Sequence, residues 1–261
     1  MSFTKNYFNF GTLKKYYKMN TETDQIFKDQ FEKSSDFKFD ANVVRVFDNM
    51  VTRSVPFYLE IHRMISELAR DYTKPETALY DLGCSTGTTF LALNTMLDQS
   101  IPFVGIDNSK EMLEKCRVNL ERNSFTRPLT LVEGDLDKEV KIENASTVVL
   151  CLTLQFVRPK NRQKLIQSVY DQLNPGGAII LIEKVLAEST MFNREFIKYY
   201  YDFKRRNNYD EMEISQKREM LENVLIPYKV SENIEMLTEA GFHSCETFFK
   251  WYNFAGMVAL K

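Results

Sequence analysis

The chain has 261 residues, 44% of them hydrophobic and 27% charged, with a formal net charge of −2. That is an ordinary globular composition with length for one large domain or two small ones. It argues against a broad nucleic-acid surface, which shows as a clear excess of Lys and Arg, and no apolar run approaches the about 20 residues of a membrane span.

Residues 1–18, aromatic and basic, lack the apolar core and small-residue cleavage site of a signal peptide. A second methionine, Met19, opens an ordinary polar stretch, so residues 1–18 read as an extension outside the fold and 19–261 as one domain. Apolar residues at three- and four-residue spacing predict helices through 42–71, interrupted at Pro56. Strand and helix signals then alternate: strand 77–83, helix 88–97, strand 102–108, helix 109–123 with Ser109 as N-cap, and strands 129–135 and 145–154. Helix 161–173 is closed by "NPGG", and strand 178–185 follows. The rhythm breaks at 188–224, which is helical and highly charged with no intervening strand. A last helix, 231–242, takes Ser231 as N-cap and Gly241 as C′ residue, before two strand-like stretches around "ETFFKWYNFAGMVAL". Alternation of this kind means βαβ units and a mostly parallel sheet.

The cysteines Cys84, Cys116, Cys151 and Cys245 form no C-x-x-C pair, and His62 and His243 are the only histidines. Reduced thiols in a cytoplasmic protein without a metal centre are therefore expected.

The stretch "YDLGCSTGTTF" (80–90) reads as a strand end, a glycine turn and a helix start. Gly83 and Gly87 allow a sharp turn close to a ligand. Neither the dinucleotide spacing G-x-G-x-x-G nor a P-loop fits, because Ser85 holds the middle place and no G-K-[ST] follows. The turn resembles the [DE]-x-G-x-G-x-G element of S-adenosylmethionine (SAM) proteins with one glycine replaced by Ser85. Asp107, ending the second strand roughly 20 residues past the turn, suits the ribose hydroxyls. Asp135, after the third strand, suits an adenine amino group. Either acid alone is equally a strand-end turn residue; the three elements in order point to SAM. The whole plan matches the class I methyltransferase fold: a Rossmann-like α/β domain with a seven-stranded, mostly parallel sheet, helices on both faces, a C-terminal antiparallel hairpin and a helical insert (188–224) after the fifth strand, lying over the cofactor end.

Further stretches are more particular. "RSVPFY" (53–58), "GIDNSKEMLEKC" (105–116), "LNPGGAIILIEK" (173–184), "DFKRRNNYDEMEISQKREMLENV" (202–224) and "WYNFAGMVALK" (251–261) closely resemble the bacterial carboxy-S-adenosyl-L-methionine synthase family, from about residue 24 to the end. The resemblance implies an enzyme that carboxylates the SAM methyl carbon, with prephenate as carboxyl donor and phenylpyruvate as by-product. The carboxylated SAM serves a tRNA carboxymethyltransferase that makes 5-oxyacetyl uridine at the wobble position. In the family's proposed route, prephenate loses hydroxide and CO2, hydroxide deprotonates the sulfonium methyl, and the ylide attacks CO2. The resemblance also implies a homodimer, without membrane attachment or stable nucleic-acid binding.

The family's contacts carry over onto Tyr58, Gly83, Cys84, Ser85, Asp107, Asn108, Asp135, Leu136 and Cys151, and the arginine that pairs with the added carboxylate falls on Arg218. Arginine suits that task because its fork matches a carboxylate bidentately; without the resemblance, "QKRE" reads as a solvated helix face. Cys151 stands where well-known members carry Asn, and a thiol donates and accepts poorly. Arg53 is a second candidate cation, for substrate or for support. His62 reads as an orienting or packing residue and His243 as structural. The aromatic run "FIKYYYDF" (196–203) suits either a cover over the site or a subunit contact. Two rivals stand beside this reading: a conventional SAM-dependent methyltransferase acting on a small molecule, and a SAM-binding protein without catalysis.

Overall fold

The structure, a computed structural model, describes Gly11 and residues 41–261. The extension expected over residues 1–18 lies, Gly11 apart, outside the described residues. Two helices precede the sheet, α1 (Ala41–Ser54) and α2 (Tyr58–Tyr72). Between them Pro56 cannot donate a backbone hydrogen bond, and Phe57 turns into left-handed backbone at φ 56. The α2 helix buries Tyr58, Ile61, His62, Ile65, Ser66 and Ala69, a single helical stripe.

Strands β1 (Ala78–Leu82), β2 (Phe103–Asp107), β3 (Leu129–Glu133), β4 (Ala145–Cys151) and β5 (Leu173–Leu186) pair in parallel. Helices α3 (Thr88–Leu93), α4 (Lys110–Arg122) and α5 (Pro159–Gln172) connect them, with a 3-10 turn at Leu154–Phe156. After β5 come α6 (Thr190–Arg206), α7 (Glu211–Leu221), the short β6 (Tyr228–Lys229) and α8 (Val230–Glu239). The hairpin β7 (His243–Trp251) and β8 (Phe254–Leu260) closes the chain, with β8 antiparallel to both β5 and β7. The order across the sheet is β3-β2-β1-β4-β5-β8-β7, and β6 pairs with the far end of β5. This is the class I methyltransferase fold. Strand order switches direction between β1 and β4, and in open α/β sheets ligands bind at the strand carboxyl ends beside such a switch.

Strand alternation sorts the core into two layers. Val149, Ile180 and Ile182 face Ile61, Ile65, Phe90 and Leu113 of α2, α3 and α4. Val148, Leu150, Ile179 and Leu181 face Ile166 and Val169 of α5 and Leu237 of α8.

Four local expectations change. The helix expected through 97 ends at Leu93, and the irregular turns that follow it are held by Arg127. The Arg127 guanidinium lies 4.0 Å from the Phe103 ring centroid and donates to the carbonyls of Asn94, Leu97, Asp98 and Ile101 at 3.0–3.2 Å. The fifth strand starts at Leu173 rather than 178, since "NPGG" loops out as a register shift opposite Ala145 and Thr147. The fourth strand stops at Cys151, where Leu152 enters left-handed backbone at φ 60. Ser231 is not the N-cap of α8: Lys229 holds that position, its backbone N–H donating to the Glu232 carboxylate at 2.7 Å, while the Ser231 hydroxyl donates to Glu188. Gly241 follows the α8 C-cap with φ 106, as expected.

Replacing Arg127 strands several buried carbonyls at once, and unmet buried acceptors cost more than the bonds gain. Arg127→Ala is expected to lose about 2–4 kcal/mol of unfolding free energy in urea with an unchanged denaturant slope; a loss below about 0.5 kcal/mol contradicts this account.

Candidate functional site

The turn after β1 carries left-handed backbone at Gly83 (φ 81), Ser85 (φ 47) and Gly87 (φ 85). At Gly83 only glycine fits, since an added Cβ would run into the Thr153 side chain. Backbone N–H groups of Gly83 and Cys84 donate to the Ile106 carbonyl at 2.7 and 3.1 Å, binding the turn to β2. The Asp107 carboxylate accepts the Ser85 N–H with Oδ2 and the Ser109 N–H with Oδ1, each at 2.9 Å. The Thr86 hydroxyl donates to Asp48 Oδ1 of α1 at 2.6 Å. Ser109 caps α4 by accepting the Met112 N–H at 3.2 Å.

Above this turn lies a cavity of about 360 Å³, roofed by α1, α2, α6 and α7. Tyr58, Gly83, Cys84, Ser85, Asp107, Asn108, Asp135, Leu136, Cys151 and Arg218 all line it. Residues of α2, β2, β4, α7 and the loops after β1 and β3 are thus brought to one space. The spare lone pairs of Asp107, beside this turn and lining the cavity, suit an adenosyl group bearing ribose hydroxyls. Asp135 is partly engaged, its Oδ2 lying 3.4 Å from Lys138 Nζ and its Oδ1 accepting the Asp137 N–H. Burial pushes the Cys151 thiol well above its ordinary range. Arg218 is exposed at the mouth and forms no ion pair among the described residues.

His62 also lines the cavity. Its Nδ1 lies 2.9 Å from the Tyr58 carbonyl, so Nδ1 carries the proton and donates. Burial lowers its pKa to about 4, which keeps the ring neutral. Arg53 does not line the cavity: its guanidinium donates to the carbonyls of Asn207 and Asn208 at 2.9 and 2.6 Å and stacks on Tyr209, bracing the α6–α7 turn. His243 is exposed at the start of β7, its Nδ1 3.0 Å from the Ser244 hydroxyl.

Sequence reasoning passed over three lysines. Lys184 of β5, Lys204 of α6 and Lys217 of α7 line the cavity, the last two only 5% exposed. One signal was available: Lys184 interrupts the apolar run "AIILIEKVL", and Lys204 shares a helical face with Ile197, Tyr200 and Tyr201.

A family model described as a methyltransferase domain matches residues 79–177. Over 239 residues the chain is 52% identical to the carboxy-S-adenosyl-L-methionine synthase of Methylococcus capsulatus, covering 91% of this chain and 99% of that protein. The chain belongs to the carboxy-S-adenosyl-L-methionine synthase family. The synthase of Desulfotalea psychrophila is 43% identical over 244 residues, covering 93% of this chain and 99% of that protein. Human N-acetylserotonin methyltransferase, solved in complex with SAM, superposes with a TM-score of 0.56 at 16% identity, over 96% of this chain and 66% of that one. That likeness speaks for the fold alone.

In this family member Asp81, the acid of the "YDLG" turn, is 1% exposed. Burial pushes its carboxyl up to about 7 and the charge of Asp107 adds to this, while the Thr89 hydroxyl pulls the other way. The folded protein therefore keeps a proton here that the unfolded chain releases near pH 3.8. Stability contributed by this group is present below that unfolded value and is lost as pH climbs to about 7. Asp81→Asn, which fixes the neutral form, is expected to unfold in urea at the same midpoint as the parent at about pH 4 and at a higher midpoint at about pH 8. Equal midpoints at the higher pH contradict a buried, proton-retaining Asp81.

Proposed function

We propose that the chain converts SAM and prephenate to carboxy-S-adenosyl-L-methionine and phenylpyruvate, as a cytoplasmic homodimer whose product feeds a tRNA carboxymethyltransferase acting on wobble uridine. The observation that carries the reading is Arg218, whose guanidinium forms no ion pair among the described residues and lines the same cavity as the turn at 83–85. A carboxylate built onto the SAM methyl carbon needs a cation of this kind, which a conventional methyl transfer does not. In this reading Asp107 takes the ribose hydroxyls, Asp135 and Leu136 the adenine, and Tyr58, Cys84, Ser85, Asn108 and Cys151 the rest of the adenosyl and methionyl groups.

The chemistry balances without a protein base. Prephenate releases CO2 and hydroxide as its ring aromatises, hydroxide takes one methyl proton to give water, and the methyl carbon bonds CO2. A sulfonium and a dicarboxylate become a carboxymethyl sulfonium, a monocarboxylate and water, with charge conserved. His62, held neutral with Nδ1 committed to Tyr58, suits orientation rather than proton transfer. The roof of α6 and α7 suits the exclusion of water that free CO2 and a basic carbon demand. Support for a dimer comes from the exposed apolar side chains Met191, Phe192, Ile197 and Tyr199 of α6 beside Tyr252 of the hairpin, an aromatic surface of the kind that anchors interfaces.

Incubation of the protein with SAM and prephenate should yield a SAM species heavier by one CO2, together with phenylpyruvate, both followed by mass spectrometry. Arg218→Ala should lose at least about tenfold of that product while keeping most of the SAM affinity, in line with the loss of a charge-assisted bidentate pair. Accumulation of S-adenosylhomocysteine with an added methyl acceptor would point to conventional methyl transfer instead, and absence of any turnover to a binding protein.

A further inference from the structure

Lys184, Lys204 and Lys217 come from three elements and converge on the inner wall of the cavity. The ammonium groups of Lys184 and Lys204 lie 5.3 and 4.8 Å from the centroid of the Tyr200 ring. Lys217 donates to the Ser54 hydroxyl at 3.0 Å and to the Tyr209 hydroxyl at 3.4 Å. Neither Lys184 nor Lys204 forms an ion pair among the described residues. The acids that line the same cavity are engaged elsewhere: Asp107 by turn amides, Asp135 by Lys138, and Asp137 by the Arg158 N–H and Asn161. Glu222 stands exposed at the mouth.

Two cations without a counter-charge, one of them almost wholly buried, are costly to keep in a folded protein. Burial pulls Lys204 well below the ordinary lysine range, and the charges of Lys217 and Lys184 pull it further. An anion placed among the three offsets both effects. The aromatic rings beside the ammonium groups hold them in place without neutralising them.

We propose that Lys184, Lys204 and Lys217 anchor the carboxyl donor by the carboxylate it keeps, not by the one it loses. This rests on the carboxyl-transfer reading above and deepens it. The choice between the two carboxylates follows from the reaction. The leaving carboxylate gives up its charge on the way to CO2, so a cation cluster around it would stabilise the ground state more than the transition state and slow the step. The retained oxo-acid carboxylate is charged throughout, so binding it tightly positions the donor without opposing the chemistry. Arg218, at the mouth, remains for the new carboxylate on the methyl carbon.

The test is Lys204→Met, which keeps an unbranched side chain one atom shorter and removes its charge. Binding of prephenate and of phenylpyruvate to the protein saturated with S-adenosylhomocysteine, which has no methyl group to carboxylate, is measured by calorimetry, beside SAM affinity and melting temperature. Phenylpyruvate carries only the retained carboxylate. Expected is a weakening of at least about tenfold for both acids by nearly the same factor, with SAM affinity within about twofold and an unchanged or higher melting temperature. Weakened prephenate binding with unchanged phenylpyruvate binding would assign the lysines to the leaving carboxylate and overturn the proposal. So would equal loss of SAM affinity, or no change for either acid, or a parent protein that binds neither. Because phenylpyruvate binding is read without turnover, a parent that binds it but forms no carboxylated SAM overturns the proposed reaction and not the lysine anchor. Should Lys204→Met fail to fold, Lys184→Met, on a half-buried side chain, carries the same comparison.

Discussion

Asp107 accepts the backbone N–H of Ser85 with one carboxylate oxygen and that of Ser109 with the other, each at 2.9 Å. One side chain thus joins the turn after β1 to the start of α4, and it does so from the end of β2. Burial raises its pKa, and the amides of Ser109, Ser85 and Asn108 oppose that rise. The strained left-handed Ser85 is held by this bond, which keeps the turn from closing over the strand ends. Gly83 completes the arrangement, since its lack of a side chain lets Thr153 after β4 approach the turn. The opening at the topological switch exists because these contacts hold the backbone apart there.

The cavity built on this floor is electrically divided. Three of its four acids, Asp107, Asp135 and Asp137, stand at or just after strand ends, and the fourth, Glu222, is exposed at the mouth. Its cations, Lys184, Lys204, Lys217 and Arg218, sit on β5 and the helices that roof it. A cationic sulfonium and an anionic carboxyl donor are sorted by such a field before any specific contact forms. On the proposed reading the two reactants meet with their reacting carbons between the two regions, which is where an apolar lining from Tyr200 and Phe254 keeps water away.

Periodicity made most of the scaffold legible in the sequence. The buried strands read as continuous apolar runs, and the Ser109 cap and the Gly241 stop read directly from local chemistry. What stayed illegible depends on partners distant along the chain. The irregular turns that follow α3 are held by Arg127, 33 residues on from Asn94. The cap of α8 falls on Lys229 rather than Ser231 because β6 pairs Lys229 with Leu186 of β5 and the helix begins at Val230, which leaves the Ser231 hydroxyl to donate to Glu188, 43 residues upstream. For the site, the strand-end positions Asp107 and Asp135 could be placed by order alone, since the switch point fixes where they stand. Arg218 was named only through family resemblance, because on its own helix it reads as an ordinary exposed charge. The three lysines carry no shared motif, and only tertiary folding brings residues 184, 204 and 217 to one wall.

The segment "RSVPFY" divides several jobs among neighbouring residues. Arg53 braces the α6–α7 turn through Asn207, Asn208 and the Tyr209 ring. Ser54 receives the Lys217 ammonium at 3.0 Å. Pro56 and the left-handed Phe57 end one helix and start the next, and Tyr58 faces the cavity and packs edge-on against His62 at 4.5 Å. The helix that ends in this segment also reaches the floor, through Asp48 and Thr86. Here α1 touches both the floor that suits SAM and the roof that carries the cations, so the distance between the two is set by one rigid helix rather than by two independent ones.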